Sequence, residues 1–167
     1  MAITASDIKL FLSGGAGNSD PNASLGGAIS TTEITDATDN NLFDDVSGDE
    51  SFSGDTEYRA FFVKNNHGSL TWQSVKVWID TNTPGVDSVE IGIEASKGTP
   101  KQTIANESTA PTGISFSAPA NKAAGLSLGD LLTTDVYMVW VKRIVPENCT
   151  AYTANNFKIK FEGDTAA

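Results

Sequence analysis

The sequence predicts an all-β chain, an antiparallel β-sandwich of jelly-roll or immunoglobulin-like type with long loops. Three observations predict it. Six to eight segments alternate apolar and polar residues at the period of a strand, and clusters of Gly, Pro, Asn and Asp separate them. No amphipathic stretch is longer than a turn or two of helix. Charged residues make up only 19% of the chain, below the usual figure of about 25%. Thr, Ser, Asn and Gly fill the gap, and these suit strand surfaces and turns better than helices.

Ile8, Leu10 and Leu12 alternate as a first strand, which breaks at the Gly- and Asn-rich loop 13–21. Residues 28–35 form a weaker strand after Gly26-Gly27. Residues 36–56 are polar and acidic, with apolar points at Leu42, Phe43, Val46 and Phe52, and they read as a long loop pinned to the core. Residues 58–65 are apolar on both faces, as a central strand of a layered fold should be. Asn65-Asn66-His67-Gly68 makes a turn into a strand over 70–80, with Val75, Val77 and Ile79 on one face and Ser74, Lys76 and Trp78 on the other. After the turn at 80–85, Val89, Ile91, Ile93 and Ala95 mark a half-buried strand. Residues 96–112 read as loop and 114–117 as a short strand; 126–131 fits either a helical turn or an extended connection. Residues 135–145 carry the best strand pattern. Phe157, Ile159 and Phe161 mark the last strand, which Gly163 is expected to close.

A chain of 167 residues suits one domain. We expect residues 1–56 to be an acidic, loop-rich segment with one or two strands, belonging to the same domain as a sandwich core over 57–167. The net charge of −10 lies entirely in the first third, where eleven acids face Lys9 alone over residues 1–57. Such a field repels phosphate backbones, so nucleic acid is not an expected partner. The acids read as solvated loops, or as a cation site or a docking face for a basic partner. No apolar run approaches the roughly 18 residues that cross a membrane, and no signal-peptide pattern opens the chain, so neither a membrane nor export is expected.

The residue inventory argues against catalysis. The single cysteine, Cys149, cannot form an intramolecular disulfide, and one histidine, His67, cannot supply a multi-imidazole zinc site. His67 reads as a polar turn residue, and Cys149 as a small hydrophobe or a loop residue. The stretch Asp36 to Asp45 invites a calcium reading, but Asn41 and Ser47 stand where an EF-hand loop needs Gly and Glu. The neighbouring acids Asp44-Asp45 and Asp49-Glu50 do not face each other across a cleft as glycosidase carboxyls must. Trp72, Trp78 and Trp140 lie in strands, where core packing is the usual role; Trp78 is the best placed of the three for sugar stacking. No catalytic, cofactor-binding or metal-binding residue is assigned, no cofactor is expected, and the chain is not expected to be an enzyme.

Several short blocks, in this order, carry a resemblance: Asn41-Leu42-Phe43-Asp44-Asp45-Val46, Gly54-Asp55-Thr56-Glu57-Tyr58-Arg59, Val63-Lys64-Asn65, Val75-Lys76-Val77-Trp78 and Val139-Trp140-Val141-Lys142-Arg143, with a Pro146 turn and a closing Glu162-Gly163-Asp164. Over residues 40–164 the chain resembles a group of tailed-bacteriophage virion structural proteins. The resemblance implies a non-enzymatic β-sandwich in the virion, made in the host cytoplasm. Its most specific form is a capsid decoration (cement) protein that binds the major capsid protein as a homo-oligomer. A tail or baseplate structural protein, or a carbohydrate-binding sandwich module, is the alternative. The loop 13–21 is expected to order only on contact with a partner.

Overall fold

The computed structural model describes residues 2–165. Its elements are β1 (Ile8–Ser13), β2 (Ile29–Glu33), a short helix α1 (Gly48–Ser53), β3 (Asp55–Asn65), β4 (Trp72–Thr81), β5 (Ser88–Ile93), β6 (Leu126–Leu131), β7 (Val136–Val145) and β8 (Lys158–Thr165). The strands form two antiparallel sheets, of order β2-β1-β3-β7-β5 and β6-β4-β8. From β3 onward the chain changes sheet at every connection. The fold is an antiparallel β-sandwich, as the sequence predicts. Among the described residues no helix is long and apolar enough to cross a membrane.

The pairing of β3 with β7 is the spine of the larger sheet, in unbroken register from Asp55 opposite Val145 to Lys64 opposite Val136. Alternation sends Phe61, Val63, Val139 and Val141 inward, against Val75, Val77 and Ile79 of β4 and Leu128 and Leu131 of β6. The opposite face is also apolar. Ala60, Phe62, Met138 and Trp140 form a second buried cluster with Ile104.

Loops, not strands, cover that second face. The segments 25–27 and 101–104 bond to each other across it: Gly27 N–H donates to the Gln102 carbonyl (2.8 Å), Lys101 N–H to the Gly27 carbonyl (3.0 Å) and Ile104 N–H to the Leu25 carbonyl (3.0 Å). Trp140 Nε1 donates to Glu94 Oε1 at 2.9 Å, and Gln102 Nε2 donates to the same oxygen. Gly26 holds φ +91°, and a Cβ there would lie 2.2 Å from the Gln102 carbonyl oxygen and 2.9 Å from the Trp140 ring.

The segment 1–56 is woven into the main sheet, because β1 pairs with β3 from Ile8 opposite Asn65 to Leu12 opposite Phe61, and β2 extends the edge. Four local expectations differ from the structure. The loop 13–21 is tied down without a partner: Gly14 and Gly15 donate to the Gly26 and Ala28 carbonyls, and the Asn18 carbonyl accepts from Ser30 Oγ and Thr32 Oγ1. Residues 48–53 form a helix, because Ser47 and Glu50 make a reciprocal capping box. Residues 114–117 contribute only one bridge, Ser117 to Ile91, while 126–131 is the strand β6. Finally β8 runs through Gly163 to Thr165; Gly163 marks close approach, since a Cβ there would meet the Gln73 carbonyl oxygen at 2.6 Å and Trp72 Nε1 at 2.7 Å.

Candidate functional site

The inward alternation of β3 places Glu57 and Arg59 on the same face as Phe61, and Glu57 stands opposite Arg143 of β7. Charges therefore enter the sandwich interior where the apolar pattern ends. Glu57 is 1% and Arg59 0% exposed, and Arg143 is also buried. Arg143 is fully engaged. Its Nε donates to Glu57 Oε2 at 2.5 Å, Nη2 pairs with the same oxygen, Nη1 donates to the Asp44 carbonyl at 2.5 Å, and Nη2 lies 3.4 Å from Asp44 Oδ1.

Arg59 turns the other way, toward the edge of β3 that β1 leaves open beyond Ser13. Its Nη2 donates to Glu107 Oε2 at 2.5 Å, and Nη1 to the Tyr58 carbonyl at 3.3 Å. The same edge is closed by Tyr58 N–H donating to the Glu107 carbonyl (2.7 Å) and Ala60 N–H to the Ser24 carbonyl (2.8 Å). Phe43 is the apolar partner of both guanidiniums, with its ring 4.8 Å from Arg143 and 5.5 Å from Arg59; it also meets Phe157 edge-on at 6.1 Å. A loop read from sequence as pinned by its apolar points is pinned by Leu42 and Phe43, both buried in the core.

Glu57 is satisfied on one side only. Its Oε1 accepts no hydrogen bond, and the nearest cation, Arg59 Nη2, stands 3.8 Å away. Burial pushes its pKa up from the ordinary 4.5, against the opposing pull of Arg143 and Arg59. The turn from α1 into β3 delivers two more acids beside it. Carboxylate oxygens of Glu50, Asp55 and Glu57 all lie within 4.8 Å of one another. Glu50 is placed by the capping box, in which Oε2 accepts from Ser47 N–H at 2.6 Å, and Asp55 Oδ1 accepts from Thr56 N–H at 2.7 Å. The helix is anchored at its other end, where Asn148 and Cys149 N–H donate to the Phe52 and Ser51 carbonyls.

The residues singled out from sequence are scattered. His67 sits in its turn, with Nδ1 accepting from Ser69 and Leu70 N–H. Cys149 is a half-buried loop thiol. Trp72, Trp78 and Trp140 are all buried, which takes Trp78 away from sugar stacking; Lys160, its cross-strand partner, holds its ammonium 5.5 Å from the ring. Asp44 joins the cluster through Arg143, Asp45 and Asp49 are exposed, and Asp36 Oδ1 accepts from Ala37 N–H in a local turn. Sequence reasoning missed Glu57, Arg59 and Arg143 as a unit. Their signal was present: charges at inward positions of two strong strands.

Two shallow depressions of about 200 and 210 Å3 lie elsewhere, one beside β2 and residues 38–41, the other between residues 3–8 and β8. The ionic cluster at the open end of β3 and β7 is thus the densest chemistry in the described residues. No protein-family model, curated protein or solved structure matches this chain.

Proposed function

We propose that this chain is a non-enzymatic structural protein of a tailed-phage virion, acting as a capsid decoration protein that binds the major capsid protein. The virion assignment rests on the ordered sequence blocks of the resemblance. Three of these blocks meet in space: Phe43 and Asp44, Glu57 and Arg59, and Arg143 build one buried cluster whose internal pairing fits a structural pin.

One observation carries the binding role. Three of the four large exposed apolar side chains among the described residues, Phe52, Val86 and Tyr152, lie within the loop between β7 and β8 or on segments joined to it by hydrogen bonds. Phe52 bonds through its carbonyl to Asn148, the turn bearing Val86 bonds through Gly85 N–H to Asn155, and Tyr152 lies within that loop. Exposed apolar side chains of this kind suit a partner with apolar patches, and the exposed acids of the first third, Asp45 and Asp49 among them, suit one with basic patches. A symmetric homo-oligomer would multiply such contacts over a shell.

Immunogold electron microscopy of intact particles from the encoding phage tests the proposal. Even labelling over the head is the expected result. Label confined to the tail would replace decoration by a tail or baseplate role. Absence of the chain from purified particles by mass spectrometry would overturn the virion assignment.

A further inference from the structure

We propose that Glu50, Asp55 and Glu57 form a binding site for a hard divalent cation, with calcium the ion that fits. Two independent observations carry it. The first is convergence: three carboxylates from α1 and the start of β3 bring oxygens within 4.8 Å of one another. The second is that Glu57, 1% exposed, keeps Oε1 buried and without any hydrogen bond. A buried carboxylate oxygen left bare is expensive unless a cation or a donor meets it.

The neighbouring arginines do not fill that role. Arg143 is committed to Glu57 Oε2 and to Asp44, while Arg59 sends its terminal nitrogens to Glu107, Tyr58 and Asn22, reaches Glu57 Oε1 only at 3.8 Å, and leaves its buried Nε unpaired. Among the described residues, the cations paired with Asp44, Glu57 and Glu107 are Arg59 and Arg143, and none pairs with Glu50 or Asp55, which leaves three negative charges over the connected cluster. A divalent cation reduces that excess to one.

The chemistry selects the ion. The donors are all carboxylate oxygens, which favours calcium, magnesium or manganese over zinc or copper. Calcium accepts about six to eight oxygens in a flexible arrangement, whereas magnesium needs a near-ideal octahedron. Three carboxylates drawn from a short helix and the start of a strand form an irregular donor set of that kind. Other donors are already in use, Glu50 Oε2 in the capping box and Asp55 Oδ1 on Thr56, so each side chain still has a second oxygen to offer. A bound ion would tie α1 to β3 at the point where the acidic segment enters the main sheet.

The test is calcium titration of the full chain, by calorimetry and by thermal unfolding with EDTA as the reference. One site per chain is expected, with Tm raised by about 5–10 °C at a hundredfold excess over Kd. The double variant Glu50→Gln/Asp55→Asn keeps the amide oxygens that serve the capping box and Thr56 N–H, and should lose at least about tenfold in calcium affinity. Asp45→Asn, a change at an exposed acid outside the site, should leave the affinity unchanged. No calcium binding by the wild-type chain overturns the proposal. So does an equal loss in Asp45→Asn, which would mean diffuse attraction to the acidic surface. If the double variant does not fold, the single Glu50→Gln variant decides by the same comparison.

Discussion

A guanidinium in a sandwich interior is stable only while its partners are present. Arg143 neutralises Glu57 and also holds the Asp44 carbonyl, so truncating it strands a carboxylate that is 1% exposed. Arg143→Ala should therefore cost about 3–5 kcal/mol in urea unfolding at neutral pH. Replacing Glu57 and Arg143 together by apolar residues of similar volume should cost much less, because neither charge is then left alone. The pH dependence follows from the same residue. Burial raises the pKa of Glu57 above 4.5 in the folded chain, so the folded state binds the extra proton. Its contribution is fully present below about pH 4.5 and is lost as pH rises through the raised folded value. In EDTA, Glu57→Gln should flatten that part of a Tm-against-pH profile. Asp7 has the opposite sign. The Thr4 backbone hydrogen bond holds it below its ordinary 3.8, so its contribution is lost only as pH falls through the folded value. These charges were visible at inward positions of strong strands; their pairing was not, since Asp44 and Arg143 are 99 residues apart.

At the scale of elements, the larger sheet is covered unequally, by a second sheet on one face and by bonded loops on the other. The loop cover depends on close backbone approach at Gly26, which sits at φ +91° against the Gln102 carbonyl and the Trp140 ring. Gly26→Ala should destabilise by about 2 kcal/mol or more, read as a lower urea midpoint with an unchanged slope. Trp140→Phe removes both volume and the bond to Glu94, and should cost about 1–3 kcal/mol. The apolar alternation on both faces of residues 58–65 made a central strand legible. What covers the outer face was not legible, because segments 25–27 and 101–104 carry no strand pattern and bond to each other only over the finished sheet. The same reasoning explains β8. Gly163 looked like a stop in sequence, yet it continues the strand because β4 passes too close for a side chain.

For the whole molecule, the position of β1 changes how a docking role can be tested. Removing residues 1–35 would strip β1, and β2 with it, from the edge of β3 and expose Phe61 and Phe62, so such a truncation should lose cooperative unfolding whatever the partner. Charge removal at exposed acids is the cleaner probe. Asp36→Asn/Asp39→Asn/Asp45→Asn should leave Tm within about 2 °C, weaken association with purified particles and reduce its salt dependence if the acidic face docks. By itself the sequence determined the sandwich class, the central strands and the uneven charge, because strand periodicity and composition act locally along the chain. Only the tertiary structure decided where the acidic segment ends. By pairing β3 with β7 and folding α1 back on them, it brings Glu50, Asp55 and Glu57 together beside Arg143, a long-range convergence that no local pattern encodes.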